Sequence, residues 1–191
     1  MLEMLVTVSI ILIVAAIAVP NIMQAMRAVQ LRTTAGDLAS LIQQARIMAA
    51  KNNATYPIRY TTIGGTQVAY IDVNLRGGYN AGEPTMYFTA HVNPAAGAPT
   101  GTGGQPAAYT LAGDTGVGSY DNTNTLAFSP RGLPCNYDTS TIPPTCTTPA
   151  AKYFVYYLTQ NRPVGPQAWG AVLATKSGRS KVITWSGASW N

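Results

Sequence analysis

No charge interrupts the chain between Glu3 and Arg27. The run from Met4 to Met26 is 23 residues long. As a helix rising 1.5 Å per residue it extends roughly 34 Å, enough to cross a bilayer core of about 30 Å. A buried core helix is the competing reading, but length, apolarity and terminal position favour a membrane span at about residues 4–26. Pro20 lies inside the run and is expected to kink or locally open the helix. Glu3 stands at its start, where a carboxylate in lipid calls for a positively charged partner. An acid in a first helical turn is also favoured by the helix dipole alone.

Past Asn21 the pattern becomes amphipathic. Leu31, Ala35, Leu38, Ile42, Ala45 and Ala49 recur at steps of three and four, with Arg27, Arg32, Gln43, Gln44 and Arg46 mostly elsewhere. The spacing predicts one helix over about residues 2–51, roughly 75 Å long, that stops at Lys51-Asn52-Asn53. Its first half belongs in lipid or a filament core, and its second half packs on a head formed by 52–191.

The head reads as β-structure. Tyr56–Ile63 and Thr66–Val73 flank Gly64-Gly65, a two-residue hairpin signal. Further strands are expected at Thr85–Val92, Ala108–Ala112, Thr125–Ser129, Lys152–Thr159, Trp169–Thr175 and Ser180–Trp185. Asn93 to Pro106, rich in Pro, Ala, Gly and Thr, reads as a long loop. There is no internal repeat. The expected class is α+β, a long N-terminal hydrophobic helix packed on an antiparallel β-rich head.

Charged residues make up only 10 % of the chain, against roughly 25 % in an average soluble protein, and hydrophobic residues 47 %. That excludes a disordered chain and a cytosolic coiled coil. One His and seven carboxylates leave little material for a metal or acid–base site. His91 has no Ser or Cys nucleophile motif near it, and a structural role is the better reading. Asp121-Asn122-Thr123-Asn124 offers oxygen ligands but lacks the glycine and distal Glu of a calcium loop, so it reads as a polar turn. Gly101-Thr102-Gly103-Gly104 precedes no helical pattern that would make it a phosphate cradle. No enzyme activity, cofactor or metal is expected. Cys135 and Cys146 bracket a Pro/Thr-rich loop and are expected to form a disulfide outside the cytosol, contributing about 2–3 kcal/mol.

The stretch Leu2-Glu3-Met4-Leu5-Val6-Thr7-Val8, continued by Ile10 to Asn21, resembles the N-terminal segment of type IV pilins and type II secretion pseudopilins. In that family a prepilin peptidase cuts a basic leader after Gly and methylates the new N-terminus. The fifth mature residue is Glu, and a Pro follows seventeen positions later. Glu3 and Pro20 have that separation. Setting Glu3 at the fifth position places two mature residues and the leader ahead of Met1. The resemblance implies that Glu3 neutralises the N-terminal amine of a neighbouring subunit during assembly. The implied partners are other pilin or pseudopilin subunits, the inner-membrane assembly machinery and the peptidase. The implied location is a single pass through the cytoplasmic membrane, head outside the cytoplasm, then a surface pilus or periplasmic pseudopilus.

Two patches narrow the likeness. Thr125-Leu126-Ala127-Phe128-Ser129-Pro130-Arg131-Gly132 resembles a mid-head strand and turn of H-type pseudopilins and FimT-type minor pilins. Lys176-Ser177-Gly178-Arg179-Ser180-Lys181-Val182-Ile183 resembles the closing Gly-Arg-x-Arg strand of the same group, with Lys181 in place of the last Arg.

The formal net charge of +5 is local. Residues 1–138 hold seven basic and seven acidic residues, whereas 139–191 hold five basic residues and no acid. Three of the five are Lys176, Arg179 and Lys181. A turn at Gly178 sets Arg179 and Lys181 on one face and Lys176 at the rim. Ile183 and Trp185 share that parity and are expected to extend the stripe as an apolar stacking surface. Such cations could hold backbone phosphates without reading sequence, or simply keep a strand edge solvated. The FimT-type resemblance implies capture of extracellular DNA for natural transformation. The alternatives are an H-type pseudopilin at the tip of a type II secretion pseudopilus and a structural pilin without a ligand.

Overall fold

A computed structural model describes residues 2–95, 99, 119–120, 126–141, 144–147, 153–162, 166–187 and 190. Helix α1 spans Leu2–Asn52 and continues through Pro20. Proline removes one hydrogen bond of the helix there, that to the carbonyl of Ala16; the Asn21 side-chain amide donates to the carbonyl of Ile17 (3.1 Å) one turn back. The hydroxyls of Thr7 and Ser9 likewise donate to the carbonyls of Met4 and Leu5, so these groups are satisfied within the helix. That half is solvent-exposed along its length, Leu5 to 70 % and Ile11 to 65 %. It is long and apolar enough to cross a membrane. From Leu31 onward the helix buries Leu31, Ala35, Leu38, Ile42, Ala45 and Ala49, the predicted stripe.

Two antiparallel sheets pack against that stripe. In the first, β1 (Tyr56–Ile63) and β2 (Thr66–Ile71) form a hairpin whose Gly64 and Gly65 both have positive φ, 58° and 81°. A pair of positive φ values is the type I′ turn, whose twist matches that of the flanking strands. β3 (Thr85–Tyr87) flanks β2, and β6 (Leu126–Phe128), β7 (Pro134–Asp138) and β8 (Thr145–Thr147) extend the other side, in the order β3-β2-β1-β6-β7-β8. The second sheet runs β11 (Ser180–Thr184), β10 (Ala168–Thr175), β9 (Tyr153–Gln160), β4 (Val92–Ala95), with the short β5 (Ser119–Tyr120) parallel to β9. Its inner face gives Phe154, Tyr156, Leu158, Val172 and Ala174 to the core around α1. Its outer face is also buried, with Val155, Tyr157, Ala171, Leu173 and Ile183 clustered and Ala95 and Trp190 packed against them. Burial on both faces explains why β9 and β10 read as continuous apolar runs.

Three expectations change. Thr85–Val92 is two strands in different sheets. The chain turns between them, with Val92 N donating to the Thr89 carbonyl (3.0 Å) and His91 at φ 70°, so both Phe88 and Val92 are buried. Asn93–Ala95 belongs to β4 rather than to a loop; Pro94 is tolerated because β4 is an edge strand. The cysteines themselves lie in strands, Cys135 in β7 and Cys146 in β8, so the expected loop is strand at residues 136–138 and at Thr145. The expected strand Ala108–Ala112, the loop Gly101–Gly104 and the turn Asp121–Asn124 lie outside the described residues.

Candidate anion-binding face

Two hairpins of one design meet on α1. In the first, Ser129 N donates to Leu133 O (2.9 Å) and Gly132 N to Ser129 O (2.8 Å). In the second, Thr175 N donates to Arg179 O (2.9 Å) and Gly178 N to Thr175 O (2.7 Å). Each is a three-residue loop closed by a left-handed glycine, Gly132 at φ 70° and Gly178 at φ 77°. Pro130 pre-sets the backbone at the first loop position of one, and Lys176 occupies that position in the other.

Arg46 of α1 lies between them. Its Nε donates to the carbonyl of Gly132 (3.2 Å) and its Nη1 to that of Gly178 (3.4 Å). Gln43, one turn back, donates to Gly178 O (2.9 Å) and to Ser180 Oγ (3.1 Å). A Cβ on Gly178 would stand 2.8 Å from Arg46 Nε and 3.1 Å from Gly132 O, so the approach itself requires glycine. The amphipathic pattern sets Gln43 and Arg46 off the apolar stripe. The structure turns them into the link between two segments 46 residues apart, Gly132 and Gly178.

Lys176, Arg179 and Lys181 are all exposed on this hairpin. Ser180 faces α1, so its neighbours Arg179 and Lys181 face away from it. The expected apolar continuation of the stripe is corrected. Ile183 is buried in the outer-face cluster, and Trp185 is half-buried with its ring 5.4 Å from that of Trp190. The strand is covered there, so no exposed stacking surface follows the cations.

The juxtaposed turns enclose a cleft of about 360 Å³ between Ser129–Pro134, the Cys135–Cys146 disulfide and Lys176. Arg131 lines it together with Lys176 and adds a cation from a segment distant in sequence. The matching turn geometry is the signal that could have pointed to Arg131. The disulfide joins β7 to β8 with a Cα separation of 5.4 Å and forms one wall. Among the described residues no carboxylate lines the cleft. The only ion pair between described residues, Arg59 with Asp72 (2.9 Å), lies elsewhere in the head. Nearby, Asp138 at the end of β7 is held below the usual carboxylate range by hydrogen bonds from Ser140.

Glu3 and Pro20 lie on the exposed apolar half of α1 and are not brought to this face. Forty residues of helix, roughly 60 Å, separate Glu3 from Gln43. His91 is exposed at its turn, with only its carbonyl engaged, by Asn161 N (3.1 Å). Among the described residues no three His, Cys, Asp or Glu side chains gather as a metal site.

No protein-family model, curated protein or solved structure matches the chain. The chemistry of the face therefore rests on its own residues. It offers cations on two turns that one arginine bridges, and an open cleft. That equipment suits holding an anion.

Proposed function

We propose that the chain is a pilin-like subunit, held in the cytoplasmic membrane by the apolar half of α1 until it enters a type IV pilus or the related type II secretion pseudopilus. One observation carries this reading. A single continuous helix is exposed and apolar over Met4–Met26 and then becomes the central element of the head's core. Such a helix can exchange lipid for the helices of neighbouring subunits without unfolding the head. Glu3 would meet the terminal amine of a neighbour in that bundle, where low dielectric strengthens the pair. Expressed behind a prepilin leader with an assembly system, the chain is expected in sheared filaments. Glu3→Ala is expected to cut incorporation at least tenfold while membrane levels hold. Wild-type incorporation of Glu3→Ala would remove the role of Glu3, and a chain that never leaves the membrane would remove the subunit reading.

The exposed cations favour a second role, capture of DNA by its backbone. Lys176, Arg179 and Lys181 supply three phosphate contacts, and Arg131 supplies a fourth in the cleft. Binding by full-length protein in detergent should weaken with salt. Arg179→Ala plus Lys181→Ala should lower the slope of log affinity against log salt by about two. No affinity at low salt, or an unchanged slope, would exclude it.

A further inference from the structure

A second cationic cleft lies at the foot of the head, where α1 enters it. Two contiguous hollows of about 440 and 250 Å³ share Arg162, Trp169, Trp185 and Ser186 as walls, and Arg32 of α1 lines the smaller one. Among the described residues no carboxylate lines either hollow. The level is set by α1. Gln160 Nε2 donates to the Arg27 carbonyl (2.6 Å), and the Arg27 guanidinium donates to the Asn161 carbonyl. These bonds pin the end of β9, and Arg162 just beyond it, beside the first helical turn after the uncharged run. Gly170 lets Leu31 pack directly on β10, where a Cβ would touch its side chain at 3.4 Å. Arg162 is half-buried, and its Nε is buried and meets no hydrogen-bond partner among the described residues.

Depth decides the occupant. Arg32 stands six residues past Met26, roughly 9 Å along the helix. The headgroup layer beyond a bilayer core of about 30 Å is roughly 5–8 Å thick. The Arg32 backbone therefore stands at the outer edge of that layer if Met4–Met26 spans the bilayer, and its side chain, which tilts toward the helix N-terminus, reaches back into the layer beside Arg162 and the two half-buried tryptophans. Indole rings favour that interface, and a guanidinium pairs with phosphate through two parallel hydrogen bonds. The geometry points to a site for the phosphate headgroup of an anionic phospholipid, held between Arg32 and Arg162 with Trp169 and Trp185 against its glycerol and upper acyl carbons. The inference rests on the membrane-span reading. It implies that the head is seated on the leaflet before assembly and must release a lipid to leave it.

Native mass spectrometry of the full chain released from detergent tests the site, with phosphatidylglycerol and phosphatidylcholine as probes. Wild type should retain phosphatidylglycerol at least tenfold more than the Arg32→Gln, Arg162→Gln double variant, and should not retain phosphatidylcholine. Arg32→Gln alone, at an exposed position that leaves the head folded, should lose about threefold. Equal retention by wild type and both variants, equal retention of the two lipids, or displacement by equimolar inorganic phosphate would overturn the proposal. So would loss of oligonucleotide binding in the double variant without any lipid retention, which would mark a nucleic-acid groove. Carbonate extraction of membranes separates this from the reading beneath it. Wild type and variant should both stay in the membrane, and release of both would overturn the span and the lipid site together.

Discussion

Asp72→Ala should lower the stability of the head by about 3–5 kcal/mol, the largest single-residue effect expected in it. Asp72 is fully buried just after β2. Its carboxylate accepts from Arg59 Nε (2.9 Å), Arg76 N (3.1 Å) and Gly77 N (2.9 Å). Removing it leaves a guanidinium that is only 14 % exposed, together with two backbone amides, short of their acceptor. Arg59 also covers the Tyr137 ring at 5.7 Å, so the loss reaches β7. Burial keeps the Tyr137 phenol above its ordinary pKa, with Arg59 opposing it. Glu83 holds the same loop from its other end, accepting from Val73 N (3.1 Å) and Asn80 N (2.9 Å). Urea unfolding of the detergent-solubilised chain measures the loss. Replacing both partners, Arg59→Met with Asp72→Leu, should recover most of it, since the cost lies in the orphaned charge. A double variant as unstable as Asp72→Ala would show that the loop's amide bonds, and not the ion pair, carry the effect.

Gly178→Ala should cost about 2–4 kcal/mol and detach the basic hairpin from α1. Two terms add. The backbone at φ 77° disfavours any Cβ, and the new methyl would stand 2.8 Å from Arg46 Nε. Gly64→Ala separates them, because Gly64 has φ 58° with nothing within 4 Å of its Cβ. It should cost only about 1–2 kcal/mol. If the two variants unfold alike, the packing of Arg46 between the turns contributes little. If Gly178→Ala is the worse, the proposed DNA affinity should fall with it, although no cation has been removed.

The parts of this fold that were legible are those with a local cause. The bounds of α1 follow from an uncharged run that passes into a three- and four-residue apolar rhythm. The β1–β2 hairpin follows from two glycines, and the last hairpin from Gly178 between apolar strands. Its cations could be counted directly. Strands β7 and β8 were not legible, because a Pro/Thr-rich segment between two cysteines looks like a loop until β6 gives it an edge to pair with. The break after Phe88 was hidden for a similar reason, since a chain that changes sheets keeps its apolar alternation.

Sequence alone determined that this chain carries an apolar helix long enough for a bilayer, a β-rich head and a net positive charge confined to its last third. Those properties depend on composition and on periods of two and 3.6, which a chain carries before it folds. Tertiary structure decided what the polar residues of α1 are for. Arg46 joins two turns that bring Arg131 to Lys176, and Arg32 meets Arg162 between two tryptophans. It also decided that Ile183 is core and not a binding surface. Each of these depends on contacts between residues far apart in the chain, and no local period encodes which distant segment will cover a given face.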